Sequence, residues 1–249
     1  SRLYYKLLQN QFENIIKKTI GRGGKILIPA FSLGRTQELI YSLHKLSDEG
    51  RIPEGLPIYV DSPLSVNLTG VFKTNSKDLD EDAQKFFIKK QDDPFEFDRL
   101  RYVSSVEESK ALNALNGPAI IISSSGMCEH GRILHHMKNN ITDHRNTLLI
   151  VGYQAANTLG RKLVEKEKEV RIFGKPYEVK MEVKVMNAYS AHADQSDLLD
   201  FINKVKGLKK IILVHGEQES QDDLKKALII NGRKEDEIFI PNYGDNIEL

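Results

Sequence analysis

The sequence has one cysteine, no long hydrophobic run and almost no net charge, and each of these shortages excludes a class of protein. Cys128 is the only cysteine among 249 residues, so neither an internal disulfide framework nor a cysteine cluster for zinc can form. A single cysteine fits a protein of the reducing cytoplasm. No run of 18 apolar residues and no basic leader before an apolar stretch is present. The sequence therefore predicts neither a membrane span nor a signal peptide.

The charges of the chain nearly cancel. Lysine and arginine number 36 and the acidic residues 35, which gives a formal net charge of +1. This balance provides no overall attraction for nucleic acid, so any such binding must use a local basic groove. With 40% hydrophobic and 29% charged residues, the chain can bury a substantial core as one large α/β domain or two smaller ones.

Apolar runs followed by small polar turns and helix signals recur along the first two thirds of the chain. In one of them, Ser62 is a candidate helix cap and Pro63 suits the first helical position. Strand, short turn and helix form the βα unit of a parallel sheet, so we predict an α/β fold with helices on both faces of the sheet. The predicted strands are residues 25–30, 57–61, 119–122 and 147–152.

Two stretches mark the ends of this α/β region. Residues 3–20 carry apolar side chains at three- and four-residue steps, which predicts an amphipathic helix. Because no cap, strand or initiator methionine precedes Ser1, we expect a piece of a longer polypeptide. In residues 179–185 apolar and charged residues alternate, which predicts a strand with one solvated face in a different sheet. We place a boundary near residue 175, which divides the chain into residues 1–20, 21–175 and 176–249.

The region 73–116 is less regular. Its aromatic residues are spread among charges, and this pattern fits either helices over a sheet face or a mobile segment above a cleft. We favour packed helices because aromatic side chains are costly to expose. The residues concerned are Phe86, Phe87, Phe95, Phe97 and Tyr102.

A small-residue turn after the third predicted strand is a candidate phosphate site. Its hydroxyls and backbone N–H groups lie between a strand and a helix, which suits a phosphate, although a polar turn without a ligand explains it equally well. The run matches neither the Gly-x-Ser-x-Gly elbow nor a Walker loop. Arg35 and Arg161 each follow a glycine at a strand exit and would either clamp a phosphate or form helix-surface salt bridges. The turn consists of Ser123, Ser124, Ser125 and Gly126.

His192 and His215 are candidates for catalysis or metal binding. Each ends an apolar run and precedes a helix signal, which places it at the carboxyl end of a strand, where α/β folds bind ligands. Asp194 and Glu217 follow two residues later and could orient the imidazoles. Two histidines do not make a zinc site, which needs about three protein ligands, and hydrogen-bonded loop histidines are the alternative. The remaining histidines are predicted to be surface or core residues: His44, His130, His135, His136 and His144.

Seven short motifs, in the same order along the chain, resemble the β-CASP family. These are metallo-β-lactamase-fold RNA-processing nucleases that include ribonuclease J and the endonuclease subunit of the cleavage and polyadenylation specificity factor. Asn157 departs from the family pattern, because it stands where glycine is expected. The motifs are Gly34–Leu39, Tyr59–Leu64, Ser123–Met127, Gly152–Ala155, Thr158–Arg161, Ser190–Asp194 and Val214–Glu217.

The resemblance implies a β-CASP domain over residues 21–175, followed by the C-terminal, RNA-specificity part of a metallo-β-lactamase αββα fold. It implies zinc-dependent hydrolysis of phosphodiester bonds in single-stranded RNA, with two zinc ions in the complete protein. His192 matches a histidine that assists proton transfer to the leaving group, and His215 matches a zinc ligand. Ser190, in the motif of His192, is a further candidate for phosphate binding. A homodimer is compatible with the resemblance.

The family's His-x-His-x-Asp-His metal run is absent from the 249 residues. The resemblance places it in an upstream metallo-β-lactamase half of the same polypeptide. We therefore expect this chain to be the substrate-binding half of a nuclease, to bind zinc weakly or not at all, and to be inactive alone.

Two alternatives remain open at this point. A non-catalytic RNA-binding or assembly subunit of the same fold is one, and the retention of both His192 and His215 argues against it. A flavodoxin-like module for a small phosphorylated ligand is the other. It fits residues 25–160 but leaves the histidine pair unexplained.

Overall fold

The computed structural model describes residues 2–78, 84, 93–186 and 193–247. The chain divides into two compact units, with the division between Ser190 and Ala191. The helices of the first unit are α1 (Arg2–Gly21), α2 (Arg35–Asp48), α3 (Pro63–Thr74), α4 (Val106–Asn113), α5 (Arg132–Asn140) and α6 (Leu159–Val164). Its strands are β1 (Ile26–Pro29), β2 (Ile58–Asp61), β3 (Leu100–Val103), β4 (Ile120–Ser123), β5 (Thr147–Ile150), β6 (Glu169–Ile172), β7 (Lys175–Glu178) and β8 (Glu182–Val185).

Six of these strands form one parallel sheet in the order β3-β2-β4-β1-β5-β8. The predicted α/β class is confirmed, and the four predicted strands are β1, β2, β4 and β5. β3 was missed, because Arg101 is exposed in the middle of it and only Leu100 and Val103 are buried. A four-residue strand with a charged side chain does not give the continuous apolar run of a buried parallel strand.

The sheet carries a hydrophobic core on each face. Successive side chains of a strand point to opposite faces, so Ile26 and Ile28 of β1 enter one core while Leu27 enters the other. Helices α1 and α2 cover the first face, and α4, α5 and α6 cover the second. The predicted arrangement of helices on both faces is confirmed. Within the described residues, no helix is long and apolar enough to cross a membrane.

The second half of the alternating stretch at residues 179–185 forms β8 of this same sheet, so the assignment of the stretch to a different sheet was wrong. β8 pairs in parallel with β5, with Val183 opposite Leu148. Val183 packs on one core, whereas Glu182 bonds to side chains at the end of α1. Alternation reports that one face of a strand is polar, but it carries no information about which strand lies beside it.

Strands β6 and β7 form a separate antiparallel hairpin, with Glu169 opposite Glu178 and Ile172 opposite Lys175. The turn of this hairpin contains Phe173 and Gly174. The boundary that we predict near residue 175 therefore falls at the start of β7. The division into residues 1–20, 21–175 and 176–249 stays a prediction.

The second unit is a small α/β layer. Strands β9 and β10 pair in parallel, and their small core contains Ile211, Leu213, Leu228 and Ile238. Asp194 caps the first helix of this unit by a reciprocal capping box with Asp197. The elements are α7 (Gln195–Lys204), β9 (Ile211–Ile212), α8 (Gln218–Ile230) and β10 (Ile238–Phe239).

The carboxylate of Glu182 joins the edge strand β8 to helix α1. It accepts hydrogen bonds from Lys18 Nζ at 2.9 Å and from Arg22 Nη1 at 2.6 Å, and Lys184 Nζ lies 3.1 Å away. Burial raises the pKa of Glu182, but the bonds from the three basic side chains outweigh it and lower the pKa to about 2.

We expect Glu182→Gln to lower the free energy of unfolding by about 1–2 kcal/mol at pH 7, because it removes charge-assisted bonds. The folded pKa is depressed, so the stabilisation is complete above the ordinary value of 4.5 and is lost as the pH falls toward about 2. Urea unfolding at several pH values should show the two proteins converging over that interval. Glu178→Gln, at an exposed carboxylate, is the control. A pH-independent difference for Glu182→Gln would contradict the ion-pair explanation.

Candidate functional site

A cleft of about 370 Å³ lies at the carboxyl edge of the parallel sheet. Strands β2, β4 and β1 are neighbours in the sheet, so the turns that follow them meet although they are far apart in sequence. Such an edge is where open α/β sheets bind ligands. The cleft is lined by Phe31, Ser32, Leu33, Leu64, Leu68, Ser124, Ser125, His130 and Gly131.

Three serine hydroxyls form a chain across this edge. Ser62 Oγ lies 3.1 Å from Ser32 Oγ and 3.3 Å from Ser124 Oγ, so the turns after β1, β2 and β4 each contribute one hydroxyl. Ser62 also caps α3 by accepting a bond from the backbone N–H of Ser65 at 3.3 Å. The predicted cap at Ser62 is confirmed, with Pro63 in the first turn.

The structure gives the four predicted phosphate-binding residues of the serine turn different environments. Ser123 is buried and donates its hydroxyl to the carbonyl of Asp61 at 2.9 Å. Ser125 is buried too, and its oxygen accepts the backbone N–H groups that follow, including that of His130 at 3.3 Å. Ser124 is half-buried and lines the cleft. Gly126 lies under a ring, since a Cβ there would be 3.0 Å from Cδ2 of Phe31.

Three helices begin at the cleft. Their N-caps are Gly34 for α2, Ser62 for α3 and Gly131 for α5, and the two glycines offer no side-chain cap. Aligned peptide dipoles give a helix N-terminus a partial positive charge, and three such ends favour an anion. Among the described residues that line the cleft, none carries a carboxylate. The helix N-termini thus give this edge a partial positive charge, and no lysine or arginine is among the described residues that line the cleft.

The two predicted arginine clamps lie in helix-surface ion pairs, which is the alternative to phosphate binding that their positions allow. Arg35 pairs with Glu38 one turn along α2. Arg161 Nε lies 2.6 Å from Glu165 Oε1, and its Nη1 donates to the carbonyl of Gln154 at 3.4 Å. Neither arginine lines the cleft, and phosphate binding by either one stays a prediction.

The loop after β5 supports the serine turn. The buried amide of Gln154 donates to the carbonyls of Gly126 and Tyr153, each at 3.0 Å. A Cβ at Gly160 would lie 1.7 Å from Gln154 Oε1, so a side chain there would displace the amide of Gln154. Asn157, which replaces the expected glycine, has a φ of 68°. Asparagine tolerates this left-handed conformation better than most residues, so the substitution is compatible with the loop.

A buried ionic cluster below the cleft was not predicted. Asp61 is fully buried at the end of β2, with Oδ2 2.6 Å from His136 Nε2 and 2.5 Å from Ser109 Oγ. Its Oδ1 accepts a bond from Arg132 Nη1 at 2.6 Å. His136 is also fully buried, and its Nδ1 lies 2.9 Å from Asn113 Oδ1. The sequence predicts His136 only as a surface or core residue and gives no sign of its acidic partner.

The partners of Asp61 keep it ionised. Burial raises the pKa of this carboxyl, but hydrogen bonds from His136, Ser109 and Arg132 outweigh that effect and hold the pKa below its ordinary value. Because the partners come from α4 and α5, the cluster fixes both helices to the end of β2. Ser62 is the next residue, so the cluster also fixes the centre of the serine chain.

The histidines predicted for catalysis and metal binding are only partly described. His192 and Ser190 lie outside the described residues. His215 follows β9 and precedes α8, as expected, and is exposed with a φ of 62°. Within the described ranges, no group of three or more histidine, cysteine or acidic side chains could hold a metal ion. The described side chains around His215 therefore do not form a zinc site by themselves. The role of His215 as a metal ligand stays a prediction.

The other histidines include core and surface residues. His44 is buried, stacks on Phe97 at 4.6 Å and has Nδ1 3.2 Å from the carbonyl of Pro94. His135 packs against Phe173 at 4.7 Å. His144 is exposed, whereas His130 lines the cleft from an exposed position.

Comparison with protein families gives two matches. A sequence model of the Beta-Casp domain matches residues 36–163, which is just over half of the chain. A sequence model of the Zn-dependent metallo-hydrolase RNA specificity domain matches residues 176–241.

Several curated proteins are similar over most of the chain. Ribonuclease TTHA0252 of Thermus thermophilus is 35% identical over 245 residues, which cover 98% of this chain and 54% of that protein. Transcription termination factor FttA of Methanosarcina mazei is 30% identical, over 88% of this chain and 35% of that protein. An RNase J-like protein of Methanocaldococcus jannaschii is 33% identical, over 86% of this chain and 48% of that protein. The chain thus spans about half or less of these relatives.

We expect Asp61→Asn to lower the free energy of unfolding by roughly 2–4 kcal/mol, because it removes the anion that Arg132 and His136 surround. Urea unfolding followed by circular dichroism measures the effect. Asp98→Asn makes the same change at an exposed carboxylate and should stay within about 0.5 kcal/mol of the unsubstituted chain. Equal stability of Asp61→Asn and the unsubstituted chain would show that the cluster does not require a charge.

Proposed function

Because the chain belongs to the β-CASP family of metallo-β-lactamase-fold RNA-processing nucleases, we propose that it forms the substrate-binding half of a zinc-dependent ribonuclease. The reaction is hydrolysis of phosphodiester bonds in single-stranded RNA. We place it in the cytoplasm, which the single cysteine fits. The resemblance inferred from the seven motifs agrees with the family matches.

The cleft at the carboxyl edge of the sheet is the observation that supports RNA binding. Three helices begin at this edge, and Ser32 and Ser124 line the cleft, with the buried hydroxyl of Ser62 between theirs. No carboxylate is among the described lining residues. Helix N-termini and hydroxyls are common ligands of nucleic acid phosphates, and such contacts position the strand without reading its sequence. We therefore propose that the cleft holds a backbone phosphate of RNA.

Zinc belongs to the complete protein in this proposal. His215 contributes one imidazole, and His192 assists proton transfer to the leaving oxygen, as their family motifs indicate. Since catalytic zinc needs about three protein ligands, we place the remaining ligands of the two ions in the upstream metallo-β-lactamase half. When bound, the ions supply Lewis acidity toward the scissile phosphate.

An upstream metallo-β-lactamase half of the same polypeptide is the proposed partner of the second unit. This unit leaves large apolar side chains uncovered, with Phe201 68%, Val214 66% and Ile230 84% exposed. A two-stranded parallel sheet with so small a core is marginal without further packing. A homodimer stays a prediction.

We expect Ser124→Asp to weaken the binding of single-stranded RNA by roughly tenfold, because a carboxylate in the cleft repels phosphate at short range. Fluorescence anisotropy with a labelled oligoribonucleotide measures the affinity. Asn116→Asp is the matched control, since it adds the same charge at an exposed residue before β4, whereas Ser124 follows that strand. An equal loss in both variants, or none in Ser124→Asp, would refute phosphate binding at the cleft.

We expect the purified 249-residue chain to show no RNA cleavage above the buffer rate, even with excess zinc, because it supplies too few metal ligands. A labelled single-stranded RNA incubated with the chain, and with a zinc ribonuclease as positive control, gives the measurement. Zinc-dependent cleavage that disappears in His215→Ala would show that these residues carry a complete catalytic site.

A further inference from the structure

Phe31 lies at the cleft with much of its side chain in solvent. It is 52% exposed, and its neighbours in the cleft Leu33 and Leu64 are 61% and 58% exposed. Single exposed apolar residues are common on protein surfaces, but three large ones around one cleft form a patch of the kind that marks a binding site.

The turn that carries Phe31 is held by side chains of α2. The carbonyl of Phe31 accepts two hydrogen bonds from Thr36, one from the hydroxyl at 2.8 Å and one from the backbone N–H at 3.3 Å. The carbonyl of Ser32 accepts the amide of Gln37 at 3.2 Å. These bonds hold the backbone carbonyls of Phe31 and Ser32 in place. The Phe31 ring therefore projects from a rigid turn.

Gly126 backs the phenyl ring. A Cβ at this position would lie 3.0 Å from Cδ2 and 3.1 Å from Cε2 of Phe31, which is closer than side chains normally approach. The glycine thus lets the ring rest directly on the serine turn. The exposed part of an aromatic ring fixed in this way is preorganised for a flat ligand, because little side-chain entropy remains to be lost.

We propose that Phe31 is a stacking platform for a nucleobase of the RNA strand whose phosphate binds among the serine hydroxyls. The proposal rests on the proposed function and adds to it a second point of contact. A cleft of about 370 Å³ is large enough for one nucleotide. Leu33 and Leu64 flank the base, while Ser32 and Ser124 meet the sugar and phosphate.

The chemistry of the cleft favours a nucleotide over an apolar protein segment. An apolar segment would cover Phe31, Leu33 and Leu64, but it would bring no anion to the three helix N-termini. A nucleotide suits both the apolar side chains and the helix N-termini. Its base has flat, apolar faces, and its phosphate is anionic. Stacking on an aromatic ring accepts every base, so this contact holds the strand without selecting a sequence.

The test compares two ligands of equal length, a labelled oligoadenylate and a labelled strand of abasic ribose phosphates. We expect the unsubstituted chain to bind the oligoadenylate about five- to a hundredfold more tightly, the range of one stacked base. Phe31→Leu should abolish most of this preference by weakening oligoadenylate binding, with abasic binding unchanged. Phe31→Tyr should preserve the preference, because the tyrosine ring also stacks.

Phe173→Leu is the matched control, since Phe173 is 53% exposed but lies in the β6–β7 turn, and it should leave both affinities unchanged. Equal affinity of the unsubstituted chain for the two ligands would overturn the stacking proposal without any variant. An equal loss of affinity for both ligands in Phe31→Leu would also overturn it, because the ring would then only support the cleft. Either result leaves phosphate binding intact, whereas failure of the unsubstituted chain to bind either strand would remove the proposed function as well.

Discussion

Burial of the carboxylate of Asp61 is the constraint on which the arrangement of the cleft depends. A buried anion costs several kcal/mol unless charged and hydrogen-bonding partners surround it. His136, Arg132 and Ser109 supply these partners within 2.6 Å, and they come from two helices on one face of the sheet. The need to satisfy one charge therefore fixes α4 and α5 against the end of β2.

The same residue connects the buried cluster to the serine hydroxyls at the cleft. The carbonyl of Asp61 accepts the Ser123 hydroxyl, and the next residue is Ser62, the middle member of the serine chain. Parallel pairing of β2 with β4 sets Asp61 opposite Ser123. Sheet register, buried charge and the position of the hydroxyls are consequently determined together, and a shift in one of them would displace the others.

The sequence predicts the central strands well, because each is a continuous apolar run between turn residues. It does not predict how Ser123, Ser124 and Ser125 differ, since three successive serines look alike until the direction of each side chain is known. The pairing of Asp61 with His136 is also hidden, because 75 residues separate them and no local pattern connects them. The one available signal, an acidic residue at the end of a buried strand, does not show which distant residue pairs with it. The assignment of β8 to a different sheet was wrong for the same reason, because strand pairing depends on two segments that are distant in the sequence.

Net charge and site chemistry agree once the local groups are considered. A chain with a formal net charge of +1 does not attract RNA from a distance as a strongly basic protein does. The cleft instead presents helix dipoles and hydroxyls, which act on a phosphate only at short range. Stacking on Phe31 would add affinity that does not depend on charge at all. In the proposed function, the affinity of this chain for RNA therefore comes from contacts made after encounter rather than from its net charge.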